Sequence, residues 1–139
     1  MIVLDTNVLS ELIRSEPDEG VVRWLDSCDA TAVATTSITA AEMLYGVARL
    51  PVGRRKKQLR EAVRGLIEED LDDHVEPFDA TAASHYAALV SDRETAGHPI
   101  GVADAQIAAI CRKLGATLAT RNTRDFEDTG IDLIDPWRL

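Results

Sequence analysis

The chain has 139 residues, the usual size of one domain built around one hydrophobic core. Hydrophobic residues make up 45% of it and aromatic residues only 4%, so its core consists mainly of Ala, Val, Leu and Ile. This composition favours helices packed on a sheet over a β-sandwich. The formal net charge of −9 argues against a simple electrostatic nucleic-acid binder, which is usually basic, without excluding nucleic acid as a partner.

The two cysteines, Cys28 and Cys111, lie far apart, and the chain has no CxxC pair or Cys/His cluster. We therefore expect two buried free thiols and no zinc site. The N-terminal residues MIVLDTN lack the basic region and long apolar stretch of a signal peptide. No apolar run approaches the roughly 20 residues that span a bilayer. These features predict a soluble, cytoplasmic protein without membrane association.

Short apolar segments alternate with amphipathic segments along the whole chain. In chain order, the patterns first predict a strand over residues 1–4, helices over 6–14 and 21–27, a strand over 30–36, and a helix capped by Ser37 or Thr39 that runs to Leu50. They then predict a helix over 54–70, a strand over 75–78, and helices over 80–96 and 102–114 with a stop at Gly115. The last elements are a strand over 116–120, a polar loop or short helix over 121–128, and a strand over 131–134. Continuously apolar strands separated by helices predict a parallel α/β sheet in one domain, residues 1–139.

Three carboxylates interrupt segments that are otherwise apolar. Asp5 ends the first apolar run, Glu42 is the only charged residue of 37–48, and Asp104 opens the apolar segment 102–111. A buried carboxylate costs several kcal/mol unless it is paired or neutralised, and these segments contain no Lys or Arg in their apolar parts. Each also has a local explanation: Asp5 could cap a helix, Asp104 could favour the helix dipole, and Glu42 could face solvent. If the three converge, a divalent cation is their natural partner.

Ligand sites of parallel α/β sheets lie outside the carboxyl ends of the strands. Asp5 follows the first predicted strand, and Asn122 and Asp125 follow the fourth. Glu42 and Asp104 lie near the starts of helices, at the same end of the sheet. The architecture therefore predicts one cleft that gathers these five residues.

Several polar residues near these positions have two interpretations. Asp125 could simply form a surface ion pair with Arg121 or Arg124, and Asn122 could only make a turn or cap. Thr120 could hydrogen-bond a ligand or a carboxylate, or it could merely end its strand. The run RRKK at residues 54–57 is typical of a solvated helix start but could also contact phosphates.

A set of oxygen ligands suits Mg²⁺, with Mn²⁺ as a substitute, better than zinc. An acidic cluster without a nucleophilic Ser or Cys indicates hydrolysis at a phosphate. In such sites a metal lowers the pKa of a bound water, and a nearby carboxylate orients or deprotonates that water.

Six motifs occur in a fixed order: MIVLDTNVLS at residues 1–10, SITAAEMLYG at 37–46, PFD at 77–79, HPIGVADAQIAA at 98–109, LATRNTRDF at 118–126 and PW at 136–137. Together they make the chain resemble a PIN-domain ribonuclease of the VapC or FitB type, the toxins of bacterial type II toxin–antitoxin pairs. The resemblance spans essentially the whole chain. The DTN motif alone is weak, whereas the ordered set at this spacing is highly specific.

The resemblance implies a three-layer α/β/α fold with a short central parallel sheet, and Mg²⁺-dependent cleavage of RNA. The acidic positions of the family fall on Asp5, Glu42 and Asp104. Asp5 and Asp104 would be the main metal ligands, and Glu42 would complete the site directly or through a water. A fourth position that is acidic in some members is Asn122 here, which can coordinate or hydrogen-bond but cannot act as a base. Asp125 is the candidate for the missing carboxylate.

The resemblance also implies a homodimer and a cognate VapB-like antitoxin that blocks the acidic groove, often with a basic side chain. Complexes of this kind commonly bind their own promoter DNA, mainly through the antitoxin, and the acidic balance of this chain agrees with that division. The basic run at residues 54–57, or Arg121 and Arg124, could guide RNA.

Two other interpretations stay open. One is a weakly catalytic or non-catalytic, FitB-like partner in a DNA-binding regulatory complex. The other is a phosphatase-like hydrolase with Asp5 as nucleophile, which Asn7 disfavours because such enzymes often carry a second Asp at that position.

Overall fold

The computed structural model describes residues 1–139 and contains a five-stranded sheet between two layers of helices. The strands are β1 (Ile2–Leu4), β2 (Val33–Thr36), β3 (Val75–Glu76), β4 (Thr117–Ala119) and β5 (Asp132–Ile134). The helices are α1 (Thr6–Leu12), α2 (Glu19–Ser27), α3 (Ser37–Ala48), α4 (Arg54–Arg64), α5 (Ala80–Thr95) and α6 (Val102–Leu114). Every strand pair is parallel, in the order β3-β2-β1-β4-β5. The fold is therefore the expected three-layer α/β/α arrangement around a short parallel sheet.

Successive strand residues enter two separate cores, which explains why the strands are apolar throughout. Val3 and Leu118 pack with α5 and α6, whereas Leu4 and Ala119 pack with the layer formed by α1 to α4. All four residues are essentially inaccessible to solvent. Side chains alternate between the two faces of a strand, so a sheet covered on both faces needs apolar residues at every position.

The strand order reverses at β1, and this reversal positions the site. From β1 the chain adds β2 and β3 on one side, then returns through α5 and α6 to place β4 on the other side. β1 and β4 lie in register over residues 2–4 and 117–119, and the amide of Asp5 donates to the carbonyl of Ala119 at 3.0 Å. Asp5 and Thr120 therefore leave the sheet side by side, where parallel α/β proteins bind ligands.

Local capping fixes α5 and α6, the two helices that cover one face of the sheet. The Asp79 side chain accepts a hydrogen bond from the amide of Ala82 and so caps α5, and it also pairs with Lys113 near the end of α6. Both contacts lower the pKa of Asp79, with the Lys113 hydrogen bond as the larger cause. Gly115 ends α6 with a φ of 62°, the left-handed conformation that glycine adopts without penalty. The predicted stop at Gly115 is confirmed.

Two predicted boundaries are wrong because side-chain caps act elsewhere. The helix predicted from residue 21 begins at Glu19, since Asp18 caps it by accepting from the amide of Val21 at 3.0 Å. The next helix, α3, is capped by Thr36 rather than by Ser37 or Thr39. Asx and hydroxyl caps of this kind shift a helix start by one or two residues.

The other differences concern element ends. Residues 30–32 form a 3₁₀ turn, so the second strand begins at Val33. The helix predicted over 54–70 is α-helical to Arg64 and π-helical over Gly65–Asp70, where the amide of Leu71 donates five residues back to Leu66. Cys111 is buried as predicted, whereas Cys28 is only half-buried; both are free thiols. No helix combines the length and the apolar character needed to cross a membrane.

A buried hydroxyl on β2 links this strand to β1, and its removal gives a testable change in stability. Thr35 is inaccessible to solvent, and its Oγ1 donates to the carbonyl of Leu4 at 2.8 Å. Thr35→Val keeps the shape but removes this hydrogen bond, so we expect the free energy of unfolding to fall by about 1–2 kcal/mol in urea titrations. Thr95→Val at the exposed end of α5 is the control and should change it by less than about 0.5 kcal/mol. Equal effects of the two variants would contradict the structural role of Thr35.

Candidate active site

Asp5 is both a helix cap and the innermost acidic group of the site. Its side chain is only 5% exposed. Oδ1 accepts a hydrogen bond from the amide of Thr6 at 2.8 Å, and Oδ2 accepts one from the hydroxyl of Thr120 at 2.7 Å. Burial raises the pKa of Asp5, the two hydrogen bonds oppose this rise, and the charge of Asp125 adds to it. The capping role and the site role therefore coexist in one residue.

A polar network holds the Asp5 carboxylate in place. Asn7 Nδ2 donates to the Thr120 hydroxyl at 3.2 Å and lies 3.5 Å from Asp5 Oδ2. Asn7 Oδ1 accepts from the amide of Arg121 at 3.2 Å, and the amide of Asn122 donates to Thr120 Oγ1 at 3.1 Å. Thr120 thus hydrogen-bonds a carboxylate, one of the two roles that its sequence position allowed. The network joins the residues that follow β1 to those that follow β4.

Glu42 reaches the same site from α3 but is not buried. Its side chain is exposed, which agrees with the solvent-facing alternative that the sequence left open and not with a buried position. The Thr6 hydroxyl lies 3.2 Å from Glu42 Oε1 and 3.2 Å from the Thr39 hydroxyl, so α1 and α3 meet at this point. Glu42 is therefore a solvated carboxylate whose position is set by the first turn of α1.

Asp104 lies in the first turn of α6, next to buried residues of the same helix. Burial, as the largest cause, and then the charges of Asp5, Asp125 and Glu42 in that order of size together raise its pKa from the usual value near 3.8 to about 6. A carboxylate responds to other carboxylates in this way only when they are close and not neutralised. The four acidic residues therefore share one region of negative potential.

Four of the five predicted site residues line one open pocket of about 490 Å³, called here the acidic pocket: Asp5, Glu42, Asp104 and Asn122. Glu11, Arg14, Arg121 and Trp137 also line it, and Trp137 is its only apolar side chain. Asp125 does not line this pocket. It lies in an adjoining cavity of about 770 Å³ that also contains Arg121, Arg124 and Arg138, called here the arginine cavity. Asp125 thus acts on the acidic pocket through its charge.

No cation of the chain neutralises these carboxylates. Arg14 donates to both carboxylate oxygens of Glu11, at 3.0 and 3.1 Å, and Arg121 lies over the ring of Trp137. The three ion pairs of the chain involve Glu11, Asp79 and Asp135 as acids. The surface ion pair of Asp125 with Arg121 or Arg124, an alternative that the sequence allowed, is therefore absent. The acidic pocket keeps an uncompensated negative charge.

The donor chemistry of the acidic pocket fits a hard divalent cation. Asp5, Glu42 and Asp104 offer only carboxylate oxygens, and the raised pKa of Asp104 indicates that a positive charge would be bound favourably. As the side chains are placed, no group of three or more His, Cys, Asp or Glu residues is arranged to hold a metal ion. The exposed Glu42 and half-buried Asp104 are the side chains with room to adjust.

Three residues of the site were missed in the sequence. Asn7 follows Asp5 by two positions, and its place in the DTN motif was the available signal. Glu11 is 5% exposed and accepts from the amide of Asp18 at 3.2 Å as well as from Arg14, so it stabilises the turn after α1. Trp137 comes from the far end of the chain, and nothing in its local pattern predicted that it would line the pocket.

Comparison with known proteins gives consistent results. The model of the PIN domain family matches residues 2–132. The chain is 42% identical over 137 residues to the VapC ribonuclease Y4jK of Sinorhizobium fredii, covering 99% of this chain and 98% of that protein. It is 40% identical to the toxin FitB of Neisseria gonorrhoeae, covering 99% of both. The solved structure of FitAB bound to an IR36 DNA fragment superposes with a TM-score of 0.93 at 41% identity, covering 100% of this chain and 97% of that one.

The raised pKa of Asp104 predicts a pH-dependent instability of the metal-free protein. Between about pH 3.8 and 6 the folded state binds more protons at Asp104 than the unfolded state, so this residue lowers stability as the pH rises through that window. Asp104→Asn removes the charge and should stabilise the protein at pH 7.5 in EDTA by roughly 1–2 kcal/mol, a value discounted for the solvent exposure of Asp104. The gain should vanish near pH 4. Parallel stability curves for the two proteins between pH 4 and 7.5 would contradict this assignment.

Proposed function

This chain belongs to the PIN-domain family, and on that basis we propose that it is the toxin of a type II toxin–antitoxin pair and that it hydrolyses phosphodiester bonds in RNA. One observation carries the proposal: Asp5, Glu42, Asp104 and Asn122, distant in sequence, line one pocket whose negative charge no Lys or Arg neutralises. The names of the relatives support it, because one is a VapC ribonuclease and another is a toxin.

We propose that the acidic pocket holds Mg²⁺, with Mn²⁺ as a substitute. Asp5 and Asp104 would be the main ligands, and Glu42 would complete the set directly or through a water. When bound, such a cation lowers the pKa of a water molecule and offsets negative charge on the phosphoryl oxygens. As a metal ligand Asp5 has to be ionised although it is buried. The hydrogen bonds from Thr6 and Thr120 favour its ionised form and so oppose the effect of burial.

The remaining roles follow from exposure and chemistry. Glu42 is solvated and anchored by Thr6, so it can accept the proton of a water whose oxygen attacks phosphorus while the bond to the leaving ribose oxygen breaks. Asn122 can orient that water or a phosphoryl oxygen but cannot take its proton. Asp125 contributes the fourth negative charge from the arginine cavity without entering the acidic pocket.

The partners are proposed from the same family. A VapB-like antitoxin would cover the acidic pocket, and a basic side chain of the antitoxin would meet the charge that this chain leaves unpaired. Promoter DNA would be bound mainly through the antitoxin, in keeping with the FitAB complex on DNA and with the net charge of −9. We propose a homodimer that acts in the cytoplasm on RNA.

Removal of either main carboxylate should abolish RNA cleavage. Purified Asp5→Asn and Asp104→Asn should each lose at least about 100-fold in cleavage rate with Mg²⁺, and neither should arrest growth when expressed without the antitoxin. Asp92→Asn, an exposed carboxylate on α5 outside the acidic pocket, is the matched control and should retain both activities. Circular dichroism confirms folding of each variant. Full cleavage by folded Asp5→Asn and Asp104→Asn would reject the proposed function.

Metal binding can be measured without activity. Mg²⁺ or Mn²⁺ should raise the melting temperature of the wild type, by an amount that corresponds to about 2.7 kcal/mol at 100 times the dissociation constant. Asp5→Asn should show almost no rise. Asp125→Asn should keep a reduced rise, because Asp125 acts only through its charge. An equal rise in the wild type and in Asp5→Asn would place the metal elsewhere.

A further inference from the structure

Arg121 is an unpaired cation at the edge of the acidic pocket, whose other arginine, Arg14, is paired with Glu11. It is exposed, it lines the acidic pocket, and it forms no ion pair with any carboxylate of the chain. Its side chain makes no hydrogen bond, although four acidic groups share the neighbouring electrostatic field. An arginine whose role was to balance this charge would pair with one of them, as Arg14 does with Glu11. Arg121 is therefore held away from the carboxylates.

Trp137 accounts for the position of Arg121. The guanidinium carbon lies 4.9 Å from the centroid of the indole ring, a cation–π distance. The ring itself is fixed, because Trp137 packs against the core formed by the α1 to α4 layer. The backbone of Arg121 is also fixed, since its amide donates to Asn7 Oδ1. A contact with the ring uses the guanidinium face and leaves its N–H groups free to bind an anion.

The same pair separates the two cavities of the site. Arg121 and Trp137 line the acidic pocket and also the arginine cavity of about 770 Å³. Beyond them that cavity presents Arg124, which has no carboxylate partner, and Arg138, whose contact with Asp135 is 3.7 Å long and largely exposed. The same cavity also contains Asp18, Asp125 and Asp135, so it carries charges of both signs. It therefore offers guanidinium groups without a close carboxylate partner, such as that of Arg124, beyond the Arg121–Trp137 pair.

We propose that Arg121, held by Trp137, binds the RNA phosphate next to the one that is cleaved, and that the strand leaves the acidic pocket through the arginine cavity. The inference rests on the proposed RNA cleavage and adds the direction of the bound strand. A planar guanidinium binds a phosphate through two parallel hydrogen bonds, which fixes the strand as well as attracting it. Trp137 is a positioning residue, because it keeps Arg121 from pairing with the neighbouring carboxylates.

Binding of a labelled RNA tests the role of Arg121 apart from catalysis. The probe is a fluorescein-labelled single-stranded oligoribonucleotide, and the parent protein is Asp104→Asn, so that the RNA stays intact. Adding Arg121→Gln should weaken binding roughly tenfold at low salt. It should also reduce the slope of log affinity against log salt by about 0.7, the value for one phosphate contact with a single strand.

Arg23→Gln is the matched control, since Arg23 is exposed, unpaired and outside both cavities. It removes the same charge and should change affinity less than twofold. Equal losses in the two variants would mean that RNA senses only net charge, and would overturn the inference.

Two substitutions at Trp137 separate positioning from packing. Trp137→Phe keeps an aromatic face and should retain most of the affinity, whereas Trp137→Leu should lose about as much as Arg121→Gln. If Trp137→Leu fails to fold, Trp24→Phe leaves Trp137 as the only tryptophan, and RNA should then change its fluorescence. No change in fluorescence on binding, or equal affinities of the Phe and Leu variants, would contradict the role of Trp137.

The outcomes for the two proposals differ. Cleavage activity with unchanged binding by Arg121→Gln would overturn the strand path and leave the ribonuclease function intact. A parent protein that binds no RNA, together with a wild type that cleaves none, would overturn both.

Discussion

Negative charge without an internal counter-ion is the constraint that organises this protein. Asp5 is buried at the end of the central strand, and Asp104 is half-buried beside it with a pKa near 6. Burial favours the protonated form of both residues, yet the two arginines that line the same pocket contact Glu11 and Trp137 instead. The fold therefore keeps an unfavourable electrostatic interaction at this one place, which the proposed divalent cation would offset when bound.

Strand topology makes this concentration of charge possible. Because the strand order reverses at β1, the carboxyl ends of β1 and β4 lie next to each other. Asp5 and Thr120, which follow these two strands, can therefore hydrogen-bond directly. The two cores on either side of the sheet hold α1, α3 and α6 in place. Each of these helices then presents its acidic or polar residues to the same edge. The site is rigid where the carboxylate is buried, at Asp5, and adjustable where it is solvated, at Glu42.

The sequence predicted the fold and four of the residues that line the acidic pocket for a physical reason. Periodicity reports burial, so the strands, the six helices and the unusual position of Asp5 and Asp104 in apolar segments were visible in the amino-acid order. Capping by Asp18 and Thr36 moved helix starts, because several nearby residues can serve as caps and the choice depends on backbone geometry. Asp125 could not be placed from its pattern, since a polar loop does not show which of two adjoining cavities a side chain enters. Trp137 was not predicted to line the pocket for a different reason, because it comes from the far end of the chain and its local pattern shows no relation to the other site residues.

Separation of charge also explains how an acidic chain can act on RNA. A net charge of −9 repels a polyanion at long range, so affinity has to come from local contacts at short range, where screening by salt leaves them effective. In the proposed complex with RNA, the Arg121–Trp137 pair would make such a contact, because the ring holds a cation beside carboxylates that would otherwise neutralise it. The uncompensated carboxylates and the uncompensated arginine are thus two consequences of one arrangement. Pairing them with each other would remove both the proposed metal site and the proposed phosphate contact.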